Sequence, residues 1–386
     1  MKLLFIQGGS RVKEDEKGNL YTDSNFNDKV WNRYLSLCDS LTVILRKENK
    51  KYTEDFATKK FNKFDISKLH YVPVEDIMRP KKNYFNFIKR NKIKSIIENE
   101  VKNCDCAIVR SPGSYYCKTA IKYCKKYNKK YLVEVTGFAF EGIWNHSFAG
   151  KFVAVQTELL LKRLTKDASY AMYVTDEALQ KRYPCKNAML GCSDVEIYNV
   201  VDKHEKSFNL NEIHIGTAAF LDVAWKGQKD VIKALHKMNS TNIYYHLVGA
   251  GTGNKLKELV KKYHLEKYVI FEGTLTHDKI YDWYKKLDCY VQPSYQEGLC
   301  RAIVEAMSMG CPVICTDIGG NYELVSKDCL YKKKNINELI TLLSNINEEF
   351  IDKNSNLNIE TSKKYMHDIL DEKRDKFYNE FVLNFK

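Results

Sequence analysis

The sequence predicts an α/β protein made of two doubly wound domains. The chain has 386 residues, which is too long for one ordinary core and suits two domains of roughly 150 to 200 residues each. Along both halves, short apolar runs alternate with segments whose apolar positions recur three and four residues apart. This alternation of strand and helix patterns is typical of parallel sheets that helices cover on both faces.

The first half contains five apolar runs that predict strands and two amphipathic segments that predict helices. The strands are LLFIQ, LTVIL, CAIVR, KYLVEV and YAMYV, and the helices are FNFIKRNKIKSIIENEVKN and YCKTAIKYCKKYN. We therefore expect a first domain over residues 1–205. The polar stretch VDKHEKSFNLNE, residues 201–212, is the predicted connection between the domains.

The second half repeats the same alternation more regularly. The predicted strands are IHIGTA, IYYHLVG, YVIFEG, CYVQPS and PVICTD, and the helices are KDVIKALHKM, GNKLKELVKKYH, HDKIYDWYKKL and CRAIVEAMSMG. We expect a second domain over residues 206–358. Residues 359–386 are expected to form an amphipathic helix that packs back on the first domain.

The composition is that of a folded protein without a spanning segment. Hydrophobic residues make up 44% of the chain and aromatic residues 12%, whereas disordered chains are poor in both. No apolar run approaches the roughly 18 residues of a spanning helix, and MKLLFIQGGS lacks the long apolar core of a signal peptide. The 12 cysteines show no zinc-site spacing and are expected to be free thiols in a reducing cytoplasm. We expect no cofactor and no metal.

The excess of positive over negative charge is confined to the first half. Residues 1–200 hold 36 Lys and Arg against 23 Asp and Glu, a balance of +13, whereas residues 201–386 hold 26 of each. The densest part is RPKKNYFNFIKRNKIK, residues 79–94, where aromatic residues lie among the cations. Such a patch can meet an anionic membrane surface, a phosphate-bearing lipid or nucleic acid. The alternative is a solvated basic face.

A glycine-rich loop follows the second strand of the second half. Ligands of doubly wound sheets bind beyond the carboxyl ends of the strands, and in GAGTGN the residues Gly249, Gly251 and Gly253 let the backbone approach a ligand. A dinucleotide fingerprint would read GxGxxG, but Asn254 stands at the third glycine position. A dehydrogenase is therefore a weak alternative, and a turn before a helix is another.

The stretch QPSYQEGLCRAIVEAM places two glutamates around a predicted helix start near Leu299 or Cys300. The free N–H groups of a helix start bind anions such as a diphosphate, and Arg301 can add further donors. Because a carboxylate can accept both hydroxyls of a ribose, we expect Glu297 and Glu305 to hold sugars on either side of a diphosphate. The alternative is a surface Glu297 and a capped or salt-bridged Glu305.

A lysine follows the first strand of the second half, within AFLDVAWKGQKD. Lys226 would stand at the lip of the same crevice, where an ammonium can neutralise a leaving phosphate. The alternative is a solvated lysine in an exposed loop.

Three segments of the second half, taken in order, resemble the C-terminal half of family-4 glycosyltransferases. They are WKGQKDVIKAL, HLVGAGTGNKLKEL and FEGTLTHDKIYDWYKKLDCYVQPSYQEGLCRAIVEAMSMGCPVICTDIGGNYELV. The resemblance covers roughly residues 213–330. The first half resembles the family more faintly, through MKLLFIQGGS, VEVTGFAFEGIWNHSFAGKF and YVTDEALQKRYP. Within the family, the resemblance is greatest to enzymes of bacterial capsule or surface-polysaccharide assembly. The resemblance implies the GT-B architecture, two Rossmann-like doubly wound domains that face a central cleft, with the acceptor on the first domain.

The resemblance also implies roles for single residues. Glu297 matches the acid by the donor sugar, Glu305 the acid on the ribose, and Lys226 the lysine that pairs with the donor diphosphate. The further donor-site matches are Gly298, Leu299 and Cys300 at the diphosphate, Gly273, Thr274 and Leu275 beside the base, and Gly8 and Gly9 as a glycine turn under the phosphates. His146 matches a histidine by the donor hexose.

One residue departs from the family pattern. Many relatives carry an arginine five residues before the lysine, as a second phosphate cation, whereas this chain has Leu221 there. Arg301 is the candidate that could replace it.

The resemblance implies transfer of a sugar from a UDP- or GDP-sugar to a hydroxyl of a glycan or lipid-linked glycan, with retention at the anomeric carbon. The chain contains no D-x-D, so we expect no required metal. We expect a cytoplasmic protein, placed at the inner face of the cell membrane, and no nucleic-acid partner. A sugar-nucleotide epimerase and a non-catalytic nucleotide-sugar-binding partner are the alternatives.

Overall fold

Two β-sheets, one in each half of the chain, organise the protein in a computed structural model that describes residues 1–22, 26–144 and 148–383. Within these residues the first sheet has nine strands and the second has six. Parallel strands alternate with helices throughout, which confirms the predicted α/β class.

The first sheet has a parallel core of seven strands in the spatial order β5-β3-β1-β6-β7-β8-β9. Two short strands, β2 and β4, extend it by antiparallel pairing. The strands are β1 (Lys2–Asp15), β2 (Leu20–Thr22), β3 (Ser40–Tyr52), β4 (Asn62–Lys63), β5 (His70–Glu75), β6 (Cys106–Arg110), β7 (Lys130–Val135), β8 (Tyr170–Tyr173) and β9 (Ala188–Gly191).

Side-chain caps start two of the helices on this sheet. The Asn86 side chain accepts from the backbone N–H of Lys89 and begins α3, and Ser114 accepts from Cys117 and begins α4. Such caps satisfy N–H groups that a helix start leaves open. The helices of this half are α1 (Asp28–Leu35), α2 (Glu54–Lys60), α3 (Phe87–Asn103), α4 (Tyr115–Lys126), α5 (Ala139–Trp144), α6 (Phe148–Lys166) and α7 (Ala178–Arg182), and a 3-10 helix covers Lys81–Phe85.

The second sheet is entirely parallel, in the order β12-β11-β10-β13-β14-β15. The strand order reverses between β10 and β13, and ligands of doubly wound sheets bind beyond the carboxyl ends at such a point. Its strands are β10 (Ile213–Ala218), β11 (Ile243–Val248), β12 (Val269–Gly273), β13 (Cys289–Gln292), β14 (Val313–Thr316) and β15 (Leu330–Tyr331). Its helices are α8 (Gln228–Met238), α9 (Asn254–Lys262), α10 (His277–Lys285), α11 (Arg301–Ser308), α12 (Ile336–Ser344) and α13 (Glu348–Lys363), with 3-10 helices at Ala224–Lys226, Asn321–Glu323 and Lys327–Cys329.

The end of the chain returns to the first sheet. The single helix expected over residues 359–386 is not found in its described part, residues 359–383, because α13 runs through residue 359 and a new helix, α14 (His367–Leu383), begins after a break. On α14, the Tyr378 hydroxyl donates to Glu134 of β7 at 2.6 Å, and the rings of Phe377 and Phe381 contact Tyr170 of β8.

One buried apolar cluster is continuous between the two halves. It includes Phe5 and Leu132 of the first sheet, Tyr378 of α14 and Ile303 of α11. The carboxyl ends of the two sheets are therefore held next to each other by packing as well as by the connecting chain.

Candidate active site in the cleft between the two sheets

The loop before α11 touches the loop after β7, and this contact brings the two halves together at the predicted site. A Cβ atom added to Gly298 would lie 2.7 Å from the Thr136 carbonyl oxygen and 3.4 Å from the Gly137 Cα atom. Because a side chain at residue 298 would collide with the first domain's backbone, glycine permits this close approach.

Lys226 and Glu297 form an ion pair at the end of β13. The Lys226 Nζ atom lies 2.7 Å from Glu297 Oε1. The Ser294 hydroxyl donates to the same oxygen at 2.7 Å, and the Gln292 amide lies 3.4 Å from it. Ser294 and Gln292 are buried, so the Glu297 carboxylate is held by a fixed polar support. Sequence reasoning missed both supporting residues, although two polar residues at the end of the buried run CYVQPS were a usable signal.

The pKa of Lys226 is raised. Burial of the ammonium acts to lower this pKa, but the attraction of the Glu297 carboxylate outweighs burial. Arg301 has a smaller effect, which also acts to lower the pKa. Lys226 is therefore charged at neutral pH. Its partner Glu297 lies four residues before Arg301, the first residue of α11.

Local backbone geometry sets the position of Lys226. The lysine ends a short 3-10 helix, and Gly227 after it has a φ of +77°. A Cβ atom on Gly227 would lie 1.9 Å from the Pro293 carbonyl oxygen, so only glycine fits this approach. The Trp225 carbonyl accepts from the backbone N–H of Tyr295 at 2.7 Å, which ties the lysine loop to the loop after β13.

The first turn of α11 carries open donors. Cys300 is the cap residue and its side chain makes no capping hydrogen bond, so the first N–H groups of this helix have no helical acceptor. Leu299 and Cys300 are buried, whereas Arg301 is exposed. Within the described part of the chain, Arg301 makes no ion pair. A cation at a helix start slightly destabilises that helix, so its position favours an anionic ligand.

Glu305 lies on α11, one turn further from the helix start. The Tyr284 hydroxyl donates to Glu305 Oε2 at 3.1 Å, which leaves the other carboxylate oxygen for a ligand. Glu305 and Arg301 line a cavity of about 600 Å³ whose opposite wall includes Ser10 and Thr136. This wall belongs to the first domain, so the cavity lies between the two halves.

The two glutamates of the motif open into different cavities. Glu297 lines a second cavity of about 660 Å³, together with Phe138 and Arg182 of the first half, whereas Glu305 lines the one described above. The two carboxylates therefore do not face one another across a single ligand position, which argues against an acid/base pair.

The glycine loop after β11 is held by an aspartate. Asp222 accepts from the backbone N–H groups of Thr252 at 2.8 Å and Gly253 at 2.9 Å. Gly249 and Gly251 have φ values of 150° and 121°, which L side chains rarely adopt. Because Asp222 occupies two N–H groups that a pyrophosphate would need in a dinucleotide site, the geometry argues against the dehydrogenase alternative.

The loop after β12 lies beside this glycine loop. The Gly249 N–H donates to the Gly273 carbonyl at 2.8 Å. Gly273 and Thr274 are exposed, and Leu275 is partly buried against the core. These residues form the edge of the crevice beyond β11 and β12.

Gly8 and Gly9 do not form the predicted turn at the end of a strand. Both lie within β1, where the pairing with β3 shifts register between Ile6 and Arg11. The Gln7 side chain accepts from the backbone N–H of Gly9 at 3.0 Å, so this N–H group is used inside the protein. His146 lies outside the described residues.

Leu221 belongs to the core of the second domain. Its side chain is buried there, and its N–H donates to the Ala250 carbonyl at 2.9 Å. An arginine at residue 221 with this placement would have a buried charge. Leu221 instead contributes to the apolar core of the second domain. Arg301, the first residue of α11, remains the candidate for the second phosphate cation.

A charge network in the wall of the cleft was not predicted: it is centred on the buried Glu134, and its members Arg110 and Asp194 line the same cavity as Glu305. Glu134 accepts from Tyr34 at 3.0 Å, from Tyr378 at 2.6 Å and from Arg110 at 2.5 Å, and Arg110 also pairs with Asp194. Burial acts to raise the pKa of Asp194, but Arg110 outweighs it and the pKa is lowered. The sequence signal was a glutamate inside the apolar run KYLVEV.

The part of the chain that the structure describes contains neither a metal-holding cluster nor a membrane-spanning helix. No group of three or more His, Cys, Asp or Glu side chains there is placed to hold a metal ion. None of the helices described is long and apolar enough to cross a membrane.

Comparison with known proteins identifies the family. Residues 222–349 match the model of the family described as glycosyl transferases group 1. Protein CapJ of Staphylococcus aureus is 35% identical over 351 residues, which cover 89% of this chain and 86% of CapJ. The apo lipopolysaccharide outer core galactosyltransferase WaaB superposes with a TM-score of 0.67 at 15% identity, covering 98% of this chain and 99% of WaaB. HepE of Anabaena, in complex with UDP-glucose, superposes with a TM-score of 0.60 at 16% identity, covering 100% and 98%. The chain therefore belongs to the group 1 glycosyltransferases, as an enzyme with their GT-B fold.

Proposed function

We propose that this glycosyltransferase moves a sugar from a nucleoside diphosphate sugar to a hydroxyl of a glycan or lipid-linked glycan during surface-polysaccharide synthesis. The observation that carries the proposal is the open start of α11, where Arg301 is exposed and where Lys226 pairs with Glu297, four residues before Arg301 in the chain. The names of similar proteins support it, because WaaB is a lipopolysaccharide galactosyltransferase and HepE binds UDP-glucose.

The donor diphosphate is proposed to lie at the start of α11. The N–H groups of Leu299, Cys300 and Arg301 would point at its oxygens, and Lys226 would neutralise the charge that develops as the nucleoside diphosphate leaves. Donors that the fold holds in position would need little reorganisation when the bond to the sugar breaks.

The rest of the donor is proposed to extend in two directions from this diphosphate. Glu305, with one oxygen already held by Tyr284, would accept the ribose hydroxyls, and Gly273 to Leu275 would lie beside a uracil or guanine base. Glu297 would lie at the transferred sugar. His146 keeps its proposed role beside that sugar, and Gly8 and Gly9 keep theirs under the phosphates through atoms other than the Gly9 N–H.

The transfer is proposed to retain the anomeric configuration. A double displacement needs two carboxyl groups about 5 Å apart across one sugar. Because Glu297 and Glu305 open into different cavities, attack on the same face from which the diphosphate leaves fits better. The acceptor hydroxyl would then approach from the first domain, and the charge balance of +13 over residues 1–200 suits an anionic, membrane-attached acceptor at the inner face of the membrane.

The proposal is tested by a thermal-shift screen of UDP- and GDP-sugars, followed by assays of nucleotide release with the tightest-binding donor. We expect release to depend on an added glycan acceptor and the product to keep the donor's anomeric configuration in NMR spectra. An inverted product would contradict the retaining mechanism. Conversion of the donor's sugar with no acceptor present would favour the epimerase alternative instead.

A further inference from the structure

A cluster of large apolar side chains is exposed at one end of the first domain. Met78, Phe85, Phe87 and Ile88 have exposed fractions of 45%, 74%, 74% and 82%. They lie on the connection from β5 and on the first turn of α3, and the opposite face of that helix is buried in the core. Exposed apolar side chains concentrated in one segment are typical of surfaces that meet a protein or a membrane.

The charges within this stretch of chain have one sign, although Lys89 pairs with Glu75 just outside it at 2.7 Å. Seven Lys and Arg lie between residues 79 and 94, and no Asp or Glu occurs from Ile77 to Ile97. Arg79 and Lys92 are exposed, so their charges are available to a partner. Apolar side chains among cations are the combination that inserts at the surface of an anionic bilayer.

Contacts with Tyr115 link the segment that carries the cluster to the start of α4. The Arg90 guanidinium lies 5.1 Å from the centre of the Tyr115 ring, and the Tyr115 hydroxyl donates to the Arg90 carbonyl at 3.2 Å. The Tyr84 ring also contacts Tyr115. Tyr115 begins α4 directly after Ser114, which lines a cavity at the carboxyl ends of β1, β6 and β7. The contacts with Tyr115 therefore join the segment that carries the cluster to the wall of that cavity.

This cavity is largely apolar. Its volume is about 350 Å³, and its wall includes Val135, Phe138, Ile143 and Leu161. Thr136, which touches the loop before α11, lines it as well. The cavity therefore connects the neighbourhood of the exposed cluster to the proposed transfer site.

We propose that residues 78–92 form a docking surface for an anionic lipid bilayer, which presents a lipid-linked acceptor to the cleft. The choice of acceptor rests on the proposed function, whereas the bilayer binding does not. We favour a bilayer over a nucleic acid because Met78 and Ile88 add exposed aliphatic surface that suits lipid chains, whereas the rings of Phe85 and Phe87 suit either partner. The docking surface would sit at the headgroup level, with its cations on lipid phosphates.

The test is co-sedimentation with phosphatidylcholine vesicles that contain or lack phosphatidylglycerol, at low salt. We expect binding to the anionic vesicles only. The variant Phe85→Ser/Phe87→Ser/Ile88→Ser should bind about ten-fold more weakly or worse, because it removes apolar area from the contact. The variant Arg79→Gln/Lys92→Gln should weaken binding by a smaller factor and reduce its salt dependence.

A matched control is Leu210→Ser/Leu357→Ser, which replaces side chains of 60% and 47% exposure in the second half. It should bind like the unchanged protein. Equal loss in this control, or no binding to anionic vesicles at all, would overturn the proposal. It would also be overturned if the docking-surface variants lost affinity for a single-stranded oligonucleotide while their vesicle binding was unchanged.

Donor turnover separates this inference from the proposed function. The docking-surface variants should keep the unchanged rate of nucleotide release with a water-soluble acceptor and lose rate only with an acceptor embedded in vesicles. Lys226→Ala should show the opposite behaviour, with lost turnover and normal vesicle binding. Vesicle binding that fails while soluble turnover persists would remove this inference alone.

Discussion

The two halves of the molecule have similar folds but differ in how their chemistry is encoded. In the second half, charges balance at 26 of each sign, and the proposed donor groups come from short loops at the ends of consecutive strands. In the first half, a charge excess of +13 accompanies a separate network around the buried Glu134. We infer that recognition of a nucleoside diphosphate constrains local loop sequences, whereas contact with an extended acceptor or membrane constrains a whole surface.

The largest effect is expected from the buried network of the first half. Glu134→Ala would leave Arg110 and two tyrosine hydroxyls without their shared acceptor. Removing one partner of a buried ion pair costs about 3 to 5 kcal/mol, so the free energy of unfolding should fall by about that amount in urea titrations.

A surface ion pair of the same half is the matched control for that network. Glu177 pairs with Lys181, and both side chains are more than half exposed. Glu177→Ala should lower the free energy of unfolding by less than about 1 kcal/mol. Similar losses in the two variants would show that the Glu134 network does not stabilise the junction of the first half with α14.

The next largest effect is expected at the proposed leaving group. Lys226→Ala should reduce kcat for nucleotide release by about 100- to 1000-fold, the cost of removing one preorganised electrostatic donor. Lys237→Ala, which removes an exposed lysine of α8, is the control and should turn over normally. A Lys226→Ala enzyme with unchanged kcat would place the reaction away from α11.

A smaller effect is expected at the proposed ribose contact. Glu305→Gln removes the charge from the acceptor of the ribose hydroxyls, so donor Kd should rise by about ten-fold, since hydrogen bonds to charged groups contribute about 1.5 to 3 kcal/mol. Tyr284→Phe removes only the hydrogen bond that orients Glu305 and should raise Kd less. Calorimetric titration with the intact donor and with a nucleoside-free sugar phosphate distinguishes a ribose contact, because only the intact donor should respond.

The smallest effect is expected at the exposed cation of α11. Arg301→Ala should weaken binding of the nucleoside diphosphate product by a few-fold, and Arg301→Lys should restore part of the affinity, because a lysine keeps the charge without the forked geometry. The difference between the variants should shrink as salt rises. Identical affinities of Arg301→Ala and the unchanged protein at low salt would mean that Lys226 alone replaces the two cations of the relatives.

Sequence patterns predicted much of the second half because its signals are local. The strands carry continuous apolar runs, the helices carry apolar positions three and four apart, and the helix after Gly298 begins at Arg301, within two residues of the predicted start. Gln292 and Ser294 were missed because nothing local shows that their side chains turn towards Glu297.

The first half was predicted less completely because its important contacts join distant residues. Gly8 and Gly9 were expected to end a strand, yet β1 continues to Asp15 because it gains partners on both sides, from β3 and from β2. The break before α14 was also missed, and it places Tyr378 against Glu134, 244 residues away in the chain.

The sequence by itself determined the α/β class, the alternation of elements, the asymmetry of charge and the set of candidate donor residues. These follow from periodicity, composition and spacing, which are properties of neighbouring residues. Only the tertiary structure decided that Glu297 pairs with Lys226, that Glu305 opens into a different cavity, and that Leu221 is buried while Arg301 remains available. These facts depend on how loops from different strands pack against one another, because ion pairing, burial and cavity shape arise between residues that are far apart along the chain.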